Sequence, residues 1–126
     1  MEVFAKIGLI GGLSLLLIIH SLVLVRLLPF SIVWGGTLQS AREMYPKQGL
    51  ALGMTSLFLW VALESTLSWP GWLPAEALPW LLWLMVGLFS LSTLGNILSK
   101  SPVEKYLFSV LSILMVTCCL ILLLNA

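Results

Sequence analysis

His20, Glu64 and Asn96 carry ionisable or strongly hydrogen-bonding side chains inside long apolar runs. Hydrocarbon offers such groups no partner, and a charge at the centre of a bilayer costs at least about 2.5 kcal/mol on insertion scales. Residues kept at that cost are candidates for contact with a proton, a cation or a small solute, or for hydrogen bonds between helices. A neutral His20 needs both ring nitrogens satisfied, one as donor and one as acceptor. Asn96 is expected at a similar depth, with Ser92 one helical turn away on the same face. A polar cluster of His20, Ser21, Ser92 and Asn96, opening toward the cytoplasm, is therefore geometrically possible.

Glu64 is expected roughly 8 Å below the opposite interface. Its helix face continues through Gly53, Ser56 and Trp60, a small and polar stripe suited to another helix or a narrow cavity. At that depth it is protonated by desolvation, hydrated by a cavity, or extended toward Lys6. The expected separation of His20 and Glu64, about 10 Å in depth, excludes one general acid and base pair but allows two stations of a path. The candidate path residues are thus Glu64, His20, Asn96 and Ser92.

Other chemistry is not expected. Cys118 and Cys119 are adjacent in an apolar run, which fits neither a disulfide framework nor a Cys-x-x-Cys spacing. With the methionines they sit at scattered depths, so no metal site is expected, and a haem on His20 would need a ligand from another chain. No nucleophile and base fall within reach of each other, so the reading is of a protein without catalytic residues or cofactor.

The elements that must position these residues follow from composition. The chain has 126 residues, 60% hydrophobic and 9% charged, a balance that leaves too little charge to solvate a globular surface. A net charge of +1 without clustered Lys and Arg excludes an electrostatic case for nucleic acid. Four apolar stretches, residues 7–25, 49–69, 79–98 and 106–124, each match the roughly 30 Å hydrocarbon thickness at 1.5 Å rise per residue. The expected fold class is an all-α integral membrane protein, a single domain of four transmembrane helices in an antiparallel bundle. The first stretch is too long for a signal-peptide core, and Arg26, Leu27, Leu28 and Pro29 follow it in place of small cleavage-site residues.

Arg26, Arg42, Lys47, Lys100 and Lys105 lie in the first and third connections, against Lys6 alone on the other side. That asymmetry predicts both termini on the non-cytoplasmic side of a cell membrane. Ser101, Pro102, Val103 and Glu104 read as a capping box opening the fourth helix. Trp69, Trp72, Trp80 and Trp83 crowd the second connection, as amphipathic rings do at the headgroup level.

In the first connection Leu38, Ala41 and Tyr45 share one helical face, which predicts a short interfacial helix lying in the membrane plane. Trp34, Gly35 and Gly36 precede it and, with Arg42, form a candidate site for an anionic headgroup. Gly8 and Gly12, like Gly49 and Gly53, have the Gly-x-x-x-Gly spacing that lets helix backbones approach. The partners implied are membrane lipid and either further copies of the chain or a membrane subunit. Together these features predict a small oligomeric transporter or channel for a proton, cation or small amphipathic solute; an accessory subunit of a larger complex, or a lipid-binding protein, are the alternatives.

Overall fold

The computed structural model describes residues 2–29, 40–68, 71–99 and 101–124. Helix α1 runs Glu2–Leu24, α2 Ala41–Leu67, α3 Leu78–Ile97 and α4 Ser109–Leu124, with no strand among the described residues. Each of the four, counted with its leading turn, is long and apolar enough to cross a membrane.

Local chemistry sets the ends. Arg26 adopts a left-handed φ of 66°, and the amides of Leu27 and Leu28 turn back to the Leu22 carbonyl, which terminates α1. Ser40 caps α2, its hydroxyl accepting from the Glu43 amide at 3.3 Å, and left-handed Ser68 closes the other end. A single 3-10 turn, Ala75–Ala77, leads into α3, where Pro79 stands in the first turn and leaves no amide orphaned. The expected capping residue Ser101 accepts from the Glu104 amide at 3.4 Å. A π-helical turn, Glu104–Phe108, then joins α4.

Among the described residues the expected short interfacial helix is not a separate element. From Ala41 the chain is already α2, continuous through Pro46. Residues 30–39, and with them Trp34, Gly35 and Gly36, lie outside the described residues. The proline costs one hydrogen bond near the start of the helix without ending it. Met44 and Gln48, one turn apart and both fully buried, hold the extension against the bundle, while Arg42, Glu43 and Tyr45 are exposed. At 27 residues α2 is about 40 Å long, longer than a hydrocarbon core, so its first turns carry the charges that a span alone could not.

Helix α1 packs closely on α2 and α4, and α3 packs on α4; α2 and α3 touch only sparsely. Gly8 faces Cys118, Gly12 faces Met115 and His20 faces Phe108, so α1 and α4 run antiparallel. The core they enclose is built on Leu9, Leu13, Met85, Met115 and Cys118, with large aliphatic side chains such as Leu84, Leu91 and Ile113 turned outward. The result is a four-helix ring pulled open along one side.

Two ends of this bundle are chemically distinct. The basic end holds the close of α1, the start of α2 and the α3 to α4 connection, with Arg26, Arg42, Lys47 and Lys105. At the tryptophan end, Trp72 and Trp80 are strongly exposed.

Candidate functional site

At the basic end the polar side chains pair across helices. The Gln48 side-chain nitrogen lies 2.7 Å from His20 Nδ1 and donates to the His20 carbonyl at 3.0 Å. An amide oxygen could not satisfy that carbonyl, so the nitrogen is placed by its second bond and Nδ1 must accept. The imidazole proton is thereby on Nε2. Asn96 on α3 donates through Nδ2 to Ser112 Oγ on α4 at 3.1 Å. Ser21, grouped with these residues on sequence grounds, instead donates to the Leu17 carbonyl within its own helix at 2.8 Å.

Glu104 joins this group, although its sequence pattern marked it only as a cap residue. Its carboxylate accepts from Ser99 Oγ at 3.3 Å, and the residue is 7% exposed. The π turn that begins at Glu104 places it and Phe108 on one side of the helix start, and Ser109 Oγ donates to the Glu104 carbonyl that the wider turn presents. Such single π turns recur at functional sites because they re-aim side chains within a helix.

These groups surround a cavity of about 480 Å³. Its floor comes from α1 and the start of α4, through Leu16, His20, Phe108 and Ser112. The two walls are Leu50, Met54 and Phe58 of α2 and Leu88, Leu91 and Ser92 of α3. Three of the four expected path residues, His20, Asn96 and Ser92, therefore meet in one space. Toward the tryptophan end Phe58 and Phe89 line it, with ring centroids 5.3 Å apart.

Glu64 stands apart from this cavity. One of its oxygens, Oε1, accepts from Trp60 Nε1 at 3.1 Å and from the amides of Gly71, Trp72 and Leu73 at 3.1, 2.8 and 3.3 Å. The residue is 4% exposed, and among the described residues no ion pair joins it to Lys6. The stretch of α2 from Gln48 to Glu64 spans roughly 24 Å, well beyond the 10 Å offset expected between His20 and Glu64. The bonds to Glu64 tie the end of α2 to the turn that leads into α3, where Gly71 takes a φ of 86°.

No group of three metal-binding side chains occurs among the described residues. Arg42 is exposed on the first turn of α2. Sequence reasoning missed Gln48, which the charged neighbourhood of Lys47 assigned to a loop. The signal was present in Ser40 and Glu43, whose Ser-x-x-Glu spacing opens a helix eight residues before Gly49. No protein-family model, curated protein or solved structure matches the chain.

Proposed function

We propose that this protein is a small multi-pass membrane transporter that binds a small amphipathic solute in the cavity between α2 and α3. The observation that carries the reading is the cavity itself. Its 480 Å³ falls within the range of small-molecule sites, and it combines largely apolar walls with a few converging polar groups, His20, Asn96, Ser112 and Glu104, at one end. Interhelical glue alone requires paired polar groups but no space beside them.

In this reading the basic end faces the cytoplasm, by the excess of Lys and Arg there, and both termini lie on the far side. The cavity is then a cytoplasmic-half site, and Phe58 and Phe89 form the barrier above it. Passage requires those rings to part, or a further copy of the chain to complete the route, so a homo-oligomer is part of the proposal. Glu64 supports the fold of the α2 to α3 turn and does not contact the solute.

The test is binding and uptake of a fluorescent amphipathic amine by purified, monodisperse protein reconstituted in liposomes. Asn96→Leu, which fills the polar end and removes the donor to Ser112, is expected to weaken binding by about tenfold or more. Glu64→Gln keeps an oxygen acceptor and is expected to leave the affinity unchanged. Folded wild-type protein that binds no amphipathic solute, and co-purifies with a fixed membrane partner, would overturn the proposal in favour of an accessory subunit.

A further inference from the structure

A hydroxyl inside a helix can donate to the carbonyl four residues back, which satisfies it without any other partner. Thr66, Thr93 and Thr117 do so, on the carbonyls of Ala62, Phe89 and Ile113 at 2.7, 2.8 and 2.9 Å. Thr55, midway along α2, does not, and its side chain makes no hydrogen bond among the described residues. Yet the residue is only 8% exposed. Every fully sealed side-chain oxygen or nitrogen among the described residues has a partner, so an oxygen without one keeps access to open space. The space beside Thr55 is the cavity, which it lines. More than nine-tenths buried, it offers one donor and two lone pairs to whatever fills that space.

Ser92 stands at nearly the same level on the other wall. Gln48 pairs with His20, and Thr55 follows Gln48 on α2 about 10 Å toward the tryptophan end. Phe108 lies against His20, Ser112 is one turn beyond Phe108, and Ser92 is one turn beyond the Asn96 that donates to Ser112. These steps put Ser92 about 12 Å along. Ser92 also lines the cavity and also makes no hydrogen bond among the described residues. Around the two hydroxyls the lining is Met54, Phe58, Leu88 and Phe89, with no charged side chain at that level.

We infer that Thr55 and Ser92 contact the solute, and that the solute carries a second, uncharged hydrogen-bonding group, a hydroxyl, amide or carbonyl, set apart along its length from its polar head. The inference rests on reading the cavity as a solute site and adds two contact residues and the substituent they recognise. A wholly apolar tail at this level would cover both hydroxyls and leave them unpaired. A charged group would find no counter-charge among the apolar side chains around it. A neutral polar group satisfies both hydroxyls, each of which donates once and accepts twice. Sites built on such groups discriminate strongly, because an analogue that lacks the substituent buries their hydroxyls without a bond.

The experiment measures displacement of the fluorescent amine from the protein in phosphatidylcholine nanodiscs by 1,8-octanediol, its isomer 1,2-octanediol and 1-octanol, each corrected for partition into protein-free discs. The 1,8-isomer, whose hydroxyls are far apart, is expected to displace the amine at about tenfold lower concentration than the other two. Thr55→Val, which keeps the shape and removes the hydroxyl, is expected to abolish that preference and leave displacement by 1-octanol unchanged. Thr55→Ser should restore the preference, and Ser92→Ala should reduce it about threefold. Because the Thr55 hydroxyl has no protein partner, Thr55→Val without added ligand is expected to unfold at or above the wild-type temperature. A clear drop would make the hydroxyl structural and overturn the assignment. Equal potency of the two isomers on the wild type, or a preference that survives Thr55→Val, overturns the second contact and leaves the solute site standing. Folded wild type that does not bind the amine brings down the site and the inference with it.

Discussion

The two side-chain amide hydrogens of Gln48 both go to His20, one to the ring and one to the carbonyl. Such a clamp specifies a tautomer, a property that depends on the partner and not on the histidine alone. Replacing it with leucine leaves a buried acceptor unpaired, at a cost of about 1–3 kcal/mol. We expect ¹⁵N spectra of His20 to show Nε2–H imidazole in the wild type and a tautomer mixture in Gln48→Leu. Gln48→Glu should invert the assignment, because a carboxylate there demands a proton on Nδ1; spectra identical in all three proteins would sink the clamp. His20 was legible in the sequence because a polar residue in an apolar run is conspicuous. Gln48 was not, because it stands among Arg42, Glu43 and Lys47, where a glutamine is unremarked.

Helix packing shows the same limit at the next scale. Gly8 and Gly12 repeat the spacing of Gly49 and Gly53, yet only the first pair is pressed against a neighbour. A Cβ on Gly8 would stand 2.8 Å from Cys118 Sγ, and one on Gly12 would collide with the end of the Met115 side chain. Nothing lies within 4 Å of either position on α2. Gly8→Ala is therefore expected to destabilise the protein by about 1–3 kcal/mol. Gly12→Ala should cost less, because methionine re-packs readily. Gly53→Ala should stabilise by about 0.5–1 kcal/mol through helix propensity. Unfolding in detergent, followed by circular dichroism, checks the order, and a loss in Gly53→Ala equal to that in Gly8→Ala would contradict it. The motif reports that a close approach is permitted; the contact needs a partner surface, which local spacing does not encode.

The whole molecule divides likewise into what composition dictates and what it leaves open. Four apolar runs of the right length made four helices of membrane-spanning length legible, and the capping residue Ser101 accepts the Glu104 amide as its spacing predicts. Their arrangement was not legible, because helices apolar all round carry no stripe that points to the core, and lipid does not sort inside from outside as water does. The open flank between α2 and α3 is a property of the assembled ring alone. In the proposed transporter Phe58 and Phe89 are the barrier, so Phe58→Ala is expected to raise passive solute leak through liposomes several-fold, at a packing cost of about 3–5 kcal/mol. Leak equal to that of the wild type in a folded Phe58→Ala protein would show that these rings are not the barrier.

The cradle around Glu64 bears on how such a chain enters a membrane in the first place. Three consecutive amides and an indole converge on one carboxylate oxygen, so the turn at 71–73 brings its own hydrogen-bond donors to the acid. The connection from Ser68 to Pro79 contains no Lys or Arg. In a membrane, a nascent chain that forms this cradle early would insert α2 and α3 together, as a hairpin whose tip already supplies hydrogen-bond donors to its own carboxyl group. The first and last helices would then dock onto a pair already in place, and the gap between α2 and α3 would date from the hairpin and not from a later separation.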